Sequence, residues 1–260
     1  MNRGSSKRVQ VLVAALNQDP ESLLRSLNIQ TPAIIANQCN ENRVSQVIYN
    51  GHEILILNFN ERGVGLNRNN ALMRANSQYC LFADDDMTYV DGYENVVASA
   101  FSRHPKADIL IFNLYEEESE RYEIKHEMSI GWHNFMRFGA VRIAVKLSSI
   151  RSAGILFNLC FGGGCQYSHG EDTIFLADCL KRGLRIVAVP DYIATLNNQR
   201  PSTWNYGFTP KYLVDQGRLY KTIFPSIWKV IVLQDAIRHH ERYGLSISDA
   251  YRAMVSLQAE

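Results

Sequence analysis

The stretch YCLFADDDMTYVDG, Tyr79–Gly92, joins a short apolar run to three consecutive aspartates. Its first five residues have the length and composition of a buried strand. Strands alternating with segments of helical spacing predict a three-layer α/β/α sandwich with a mostly parallel sheet. Such sheets bind ligands at the carboxyl ends of their strands, which is where the aspartates lie. The other apolar runs are Val9–Ala14, Pro32–Ala36, Glu53–Leu57 and Asp108–Phe112.

The composition excludes several classes of protein. The 260 residues include 27 Lys and Arg against 26 Asp and Glu, a formal net charge of +1, so we expect no nucleic-acid partner. Five cysteines without a C-x-x-C pair predict neither disulfides nor a structural zinc site, and indicate a reducing, cytoplasmic compartment. No apolar run has the length of a membrane span or the pattern of a signal peptide.

The three aspartates predict a metal site. Adjacent carboxylates repel one another, so a fold gains little from them without a cation. Because Asp84, Asp85 and Asp86 follow a buried strand, we predict that they bind Mg²⁺ or Mn²⁺ together with a diphosphate. The alternative is a solvated turn that caps the next helix, but Asp91 and Glu94 already have the spacing of a capping box there.

A second acidic pair, Glu171 and Asp172, begins a predicted helix after the glycine-rich segment FGGGCQYSHG, residues 161–170. Two carboxylates beside such a loop could bind an acceptor hydroxyl and remove its proton. Acids in a first helical turn also favour the helix dipole, so this segment alone leaves both interpretations equally open. His169 lies beside the pair, although a histidine there is more typical of a satisfied structural residue than of a substrate contact.

The segment RGVGLNRNNALMRAN, residues 62–76, resembles an anion site in outline. Gly63 and Gly65 permit close approach of the backbone, and Arg68 could reach a diphosphate. Neither the Walker pattern nor G-x-G-x-x-G occurs in the chain. Asn17 and Asn37 follow the first two predicted strands and would lie at the same edge of the sheet.

Together these motifs resemble those of the inverting family 2 glycosyltransferases of GT-A fold, of the kind that builds bacterial surface polysaccharides. LFADDDM resembles the D-x-D motif, RGVGLNRNNAL a G-x-x-x-x-R-N stretch, and GGGCQYSHGED an acceptor loop that ends in G-E-D. The resemblance extends from Val9 to about Pro225. Where the family often has an acidic pair and a serine after the second strand, this chain has Asn37-Gln38-Cys39-Asn40.

The resemblance implies a role for each site residue. Asp172 would be the general base, and Asp86 with Asp84 would hold Mn²⁺ or Mg²⁺. The acceptor would contact Glu171, Gly163, Gly164 and His169. The nucleotide donor would contact Asn17, Asn37, Arg68, Asp84, Asp85 and Trp204.

The implied reaction transfers one sugar, hexosyl or N-acetylhexosaminyl, from a nucleotide diphosphate sugar, expected to be UDP-linked, to a glycan or lipid-linked saccharide acceptor. Within one GT-A domain we expect a nucleotide-sugar half at 1–115, an acceptor half at 116–200, and a mobile loop with C-terminal helices at 201–260. The loop 197–209 would close over the donor. The basic run 238–242 predicts a solvated helix face or, alternatively, contact with an anionic membrane surface.

Two other functions fit parts of the sequence. A sugar nucleotidyltransferase would need a glycine-rich basic loop after the first strand, where this chain has LNQDPESLLRS. A non-catalytic carbohydrate-binding or scaffold protein with a relict site would not need intact aspartates at 84, 86 and 172.

Overall fold

The computed structural model describes residues 8–116, 122–197 and 207–256. The strands are β1 (Val9–Leu16), β2 (Ala33–Gln38), β3 (Arg43–Tyr49), β4 (His52–Phe59), β5 (Tyr79–Asp84), β6 (Met87–Tyr89), β7 (Ile109–Tyr115), β8 (Met128–Ile130), β9 (Ile143–Lys146) and β10 (Ile186–Leu196). The helices are α1 (Pro20–Ser26), α2 (Val64–Arg74), α3 (Tyr93–Arg103), α4 (Leu147–Ala153), α5 (Glu171–Lys181), α6 (Pro210–Ile223), α7 (Trp228–Tyr243) and α8 (Ile247–Ser256). These described residues form one sheet with helices on both faces.

The sheet has the order β3-β4-β2-β1-β5-β9-β7-β10-β6, and β8 pairs with β10. Strands β4, β2, β1 and β5 are parallel neighbours, so their carboxyl ends meet at one edge. Strand β9 runs antiparallel between β5 and β7, and β6 and β8 are antiparallel to β10. Strands β7 and β10 are again parallel. The predicted three-layer α/β/α sandwich, with parallel strands and a smaller antiparallel part, is therefore confirmed.

The alternation of side chains along β1 creates the two outer layers. Val11 and Val13 are buried in the cluster that contains α1 and α3, whereas Leu12 points into the cluster that contains α2 and α5. Successive strand residues face opposite sides, so an unbroken apolar run is stable only when both faces are covered. The run of valines and leucines in β1 therefore predicts its central position.

Two aspartates precede helices, and only one of them is a cap. The sequence Asp19-Pro20 is typical of a helix start, and in the structure Asp19 accepts a hydrogen bond from Ser22 N at 2.9 Å while Pro20 is the first residue of α1. The capping box at Asp91 is wrong: α3 follows Gly92, which has φ +72°, and has no side-chain cap. Asp91 instead accepts hydrogen bonds from the side chains of Asn28 and Gln30.

Five of the described strands and helices were not predicted from the sequence: β3, β6, β8, α4 and α6. Strand β3 is the exposed edge of the sheet, so its apolar residues do not alternate cleanly with polar ones. Helix α6 does carry a start signal, since Thr209 accepts a hydrogen bond from Tyr212 N and Pro210 is the first helical residue. Thr209 is the last residue of the loop predicted at 197–209, and Pro210 follows it directly.

Helices α6, α7 and α8 pack against one another around Leu213, Val232 and Met254. A Cβ atom on Gly217 would overlap the carbonyl of Met254, so the backbones of α6 and α8 are nearly in contact. Residues 198–206, which include Trp204 and most of the predicted mobile loop, lie outside the described residues. Among the helices that the structure describes, none combines the length and apolarity that a membrane crossing requires.

Candidate active site

The carboxyl ends of β1, β2 and β5 form one wall of the candidate site. Asn17, with φ +50°, turns the chain out of β1, and its N–H donates to Gln38 O at 2.9 Å. Asn37 is buried, and its amide group donates to Gln18 O and to Asn58 Oδ1. Both of its N–H groups are thus used within the protein, and the predicted nucleotide contacts of Asn17 and Asn37 stay predictions.

The three aspartates occupy different environments. Asp84, at the end of β5, pairs with Arg68, and Asp85 accepts a hydrogen bond from Leu16 N at 3.2 Å. Asp86 is exposed at the turn into β6, and its backbone oxygen accepts from Asn197 N. Because β6 separates the aspartates from α3, they do not cap that helix. Within residues 8–116, 122–197 and 207–256, no three His, Cys, Asp or Glu side chains converge as a preformed metal site.

Arg68 lies between the two acidic segments. Its guanidinium contacts Asp84 Oδ1 at 2.7 Å and Glu171 Oε1 at 2.7 Å, and its side chain is only 5 % exposed. The guanidinium carbon is 5.4 Å from the centre of the Phe157 ring, and Nε is buried without a hydrogen-bond partner among the described residues. Burial alone would lower the pKa of Arg68, but the carboxylates of Asp84 and Glu171 override it and raise that pKa. The predicted diphosphate contact of Arg68 stays a prediction; the structure assigns its two terminal nitrogens to carboxylates.

Asp172 is the second residue of α5. Its Oδ1 accepts from Thr173 N at 2.7 Å, and Oδ2 points toward Gly139, where an added Cβ would come within 3.3 Å. Burial and the neighbouring Glu171 carboxylate raise the pKa of Asp172 to about 6, while Arg68 opposes the rise. A carboxyl with this pKa is deprotonated at pH 7 and is a stronger base than an exposed aspartate.

The glycine-rich loop makes room for Glu171. Gly162 has φ +100°, and a Cβ there would lie 2.6 Å from Glu171 Oε2. Gly163 accepts a hydrogen bond from Val64 N, which connects the loop to the start of α2, and Gly164 is exposed with φ +77°. Glycines in this segment thus serve the packing of Glu171 against α2. The predicted acceptor contacts of Gly163 and Gly164 stay predictions.

His169 is held by the protein on both edges of its ring. Nδ1 lies 3.0 Å from Ser168 Oγ, Nε2 lies 2.7 Å from Gln216 Oε1, and the ring stacks on Tyr212. Burial lowers the pKa of His169, which favours the neutral ring. These contacts fit the structural interpretation of His169, and its acceptor contact stays a prediction.

A cleft of about 360 Å³ joins these groups. Asp84 and Arg68 lie on the side of β5 and α2, and Glu171 and Asp172 lie at the start of α5. The remaining wall, residues 136–142, was missed from the sequence. That segment carries no motif, and it enters the site only because it leads into β9, next to β5.

A known protein family matches the part of the chain that includes α2 and β5, which form one side of the cleft. The model of glycosyl transferase family 2 matches residues 21–157, more than half of the chain. The chain belongs to glycosyl transferase family 2. No curated protein sequence matches this glycosyltransferase.

Among solved structures, this glycosyltransferase is similar in fold to S. aureus TarS. Residues 1–349 of TarS in complex with UDP-GlcNAc match with a TM-score of 0.66 and 11 % identity, covering 96 % of this chain and 91 % of that one. The same fragment in complex with UDP matches with a TM-score of 0.62 and 13 % identity, covering 96 % and 90 % of the two chains. At this identity the likeness establishes the GT-A fold of the glycosyltransferase.

Replacing Arg68 with glutamine tests whether this guanidinium stabilises the glycosyltransferase. We expect Arg68→Gln to lower the free energy of unfolding by about 3 kcal/mol, because it leaves Asp84 and Glu171 without their cation. This is the lower end of the usual range, since the Asp84 side chain is 37 % exposed and partly screened by water. Urea denaturation measures the change.

Arg25→Gln is the matched control for that experiment. Arg25 pairs with Glu21 at 3.1 Å on the surface of α1, and both side chains are well exposed. We expect a loss of less than about 1 kcal/mol. Equal stability losses in the two variants would show that the buried pairs of Arg68 do not hold the cleft together.

Proposed function

We propose that this chain transfers a single hexosyl or N-acetylhexosaminyl residue from a UDP-linked sugar to an acceptor hydroxyl, with inversion at the anomeric carbon. Membership of glycosyl transferase family 2 supports the reaction class. The choice of UDP rests on the fold shared with TarS, which was solved with UDP-GlcNAc and with UDP. The acceptor is a glycan or a lipid-linked saccharide.

The proposal rests on two adjacent carboxylates of one cleft that have different electrostatic environments. Arg68 neutralises Glu171, whereas Asp172, one residue away, has a raised pKa and an oxygen directed at the open side next to Gly139. Asp172 therefore takes the proton of the acceptor hydroxyl as that oxygen attacks the anomeric carbon. Glu171 and Arg68 form a rigid wall that positions the acceptor.

The residues at the end of β5 fit a divalent cation. Mg²⁺ is typically bound by one or two carboxylates together with substrate phosphates, so a preformed cage of protein ligands is not required. Asp86 provides an exposed oxygen donor at the strand ends, while Asp84 is engaged by Arg68. Mg²⁺ or Mn²⁺ held by Asp86, with Asp84 as the second candidate ligand, would offset the charge that develops on the leaving diphosphate.

Helix α7 carries features of a peripheral membrane contact at the inner, cytoplasmic face. Its exposed residues Val230, Leu233 and Ile237 lie on one side of the helix, together with the exposed Ile227 that precedes it. Exposed basic residues, among them Lys229, flank this stripe. An apolar stripe bordered by cations suits the surface of an anionic bilayer.

Removal of Asp86 tests the donor site. We expect Asp86→Ala to weaken UDP binding in Mn²⁺, because the cation loses its protein ligand, and to leave the weak binding in EDTA unchanged. Titration calorimetry in both buffers provides the measurement. Asp178→Ala, which removes an exposed carboxylate on α5, should bind UDP like the parent protein. If the parent binds UDP equally well in Mn²⁺ and in EDTA, a metal ion takes no part in donor binding.

Replacement of Asp172 by asparagine tests the base. Transfer should fall by a factor on the order of 10²–10⁴, while UDP affinity stays at the parental level. In the parent, transfer should fall about tenfold for each pH unit below about 6, as Asp172 becomes protonated. If Asp172→Asn transfers sugar at the parental rate, Asp172 is not the general base, and Glu171 is the next candidate.

The same variant separates catalysis from stability. The pKa of Asp172 is about 6 in the folded protein against an ordinary value of 3.8. Its contribution to the free energy of unfolding is therefore fully present below about pH 4 and is lost as the pH rises through 6. Asp172→Asn removes this loss, because a neutral amide is not penalised by burial. At pH 7.5 we therefore expect a melting temperature equal to or above the parental one. A large drop would mean that the carboxylate has a structural role.

Vesicle co-sedimentation tests the membrane contact. The parent should bind vesicles that contain phosphatidylglycerol and should release them as salt rises. Val230→Asp should abolish binding because it places a charge in the apolar stripe. Ile48→Asp, on the exposed edge strand β3, should bind like the parent. Absence of parental binding, or equal effects of both substitutions, would contradict the proposal.

A further inference from the structure

A second cavity lies between the C-terminal helices and the wall of the cleft. Its volume is about 570 Å³, and it is bordered by residues 132–137 on one side and by α6 and α7 on the other. It meets the catalytic cleft at Met136 and Arg137, which line both. A ligand that fills the second cavity can therefore extend past the short helical turn Phe135–Arg137 toward Asp172.

The charges that line this cavity are mainly positive. Arg137, Arg238 and Arg242 border it, and Arg238 is exposed. The carboxylate among the described lining residues is Asp235, which is buried and accepts hydrogen bonds from Tyr243 at 3.0 and 3.1 Å. Burial raises the pKa of Asp235, and the three arginines outnumber this carboxylate among the described lining residues.

Aromatic rings form much of the remaining surface. The exposed Trp132 packs edge-on against Phe224, with ring centres 5.7 Å apart, and Phe208 packs edge-on against Tyr212 and Tyr243. Exposed ring faces bury the apolar face of a sugar, while guanidinium groups bind phosphate through paired N–H donors. The two kinds of group together suit a ligand that is both a saccharide and an anion.

We infer that this cavity is the acceptor subsite and that it selects a saccharide carrying a phosphate group. The phosphate binds at Arg137, Arg238 and Arg242, the sugar lies against the aromatic rings, and its free hydroxyl reaches Asp172 through the shared opening. The inference rests on the proposed function and specifies its acceptor. Two sources would supply this chemistry: a lipid-linked diphosphate saccharide and a soluble glycan with phosphodiester groups.

Substitution of Arg238 tests the subsite. Arg137 and Arg242 also contact the rings of Tyr122 and Phe208, so they are less suitable to change. Arg238→Gln should weaken binding of a methyl glycoside phosphate by a factor on the order of 10, the worth of one charged hydrogen-bonding contact. It should not change the binding of the same glycoside without phosphate. Arg252→Gln, on the exposed surface of α8, should behave like the parent.

Binding measured without donor keeps this test independent of turnover. Calorimetry with the methyl glycoside phosphate, a short-chain prenyl diphosphate saccharide and a phosphodiester oligosaccharide distinguishes the sources. Arg238-dependent binding of any of these three supports the subsite, and the tightest of them identifies the source. Equal binding of phosphorylated and neutral glycosides, or parental affinity in Arg238→Gln, would overturn it. UDP binding and donor hydrolysis that persist in that case would leave the proposed function standing.

Discussion

The ion pairs of Arg68 connect parts of the chain that are remote in sequence. Asp84 is 16 residues away and Glu171 is 103 residues away, yet both carboxylates lie 2.7 Å from one guanidinium. A buried charge is tolerated only when its partners are held in place, so the end of β5, helix α2 and the start of α5 are constrained together. The space for Glu171 in turn depends on Gly162, where any side chain would collide with it.

This constraint also differentiates two adjacent acids. Glu171 is neutralised by direct contact with Arg68, whereas Asp172 points the other way and receives only part of that cation's field. Burial and the charge of Glu171 then raise the pKa of Asp172. One arginine thereby leaves two adjacent carboxylates in different electrostatic environments, a contrast that is typical of functional sites.

The C-terminal helices support the loop that precedes Glu171. Asp215 on α6 is buried and accepts hydrogen bonds from Ser168 N, Ser168 Oγ and Lys211, which fastens α6 to the loop before Glu171. Gly170 in that loop lies so close to Leu219 that an added Cβ would overlap it. Helix α6 thus packs against the loop and fixes its position. The same helix, together with α7, borders the arginine-lined cavity.

The layers and the candidate carboxylates could be predicted from local sequence pattern. Unbroken apolar runs require burial on both faces, and aspartates directly after such a run lie at the ligand edge, so the pattern predicts the α/β/α sandwich and singles out Asp84–Asp86. Three features emerged only from the folded chain: Arg68 joins both acidic segments, Asp91 binds Asn28 rather than capping α3, and residues 136–142 form a wall. These depend on contacts between segments distant in the chain, and side-chain pairing across such distances leaves no periodic signal in one sequence.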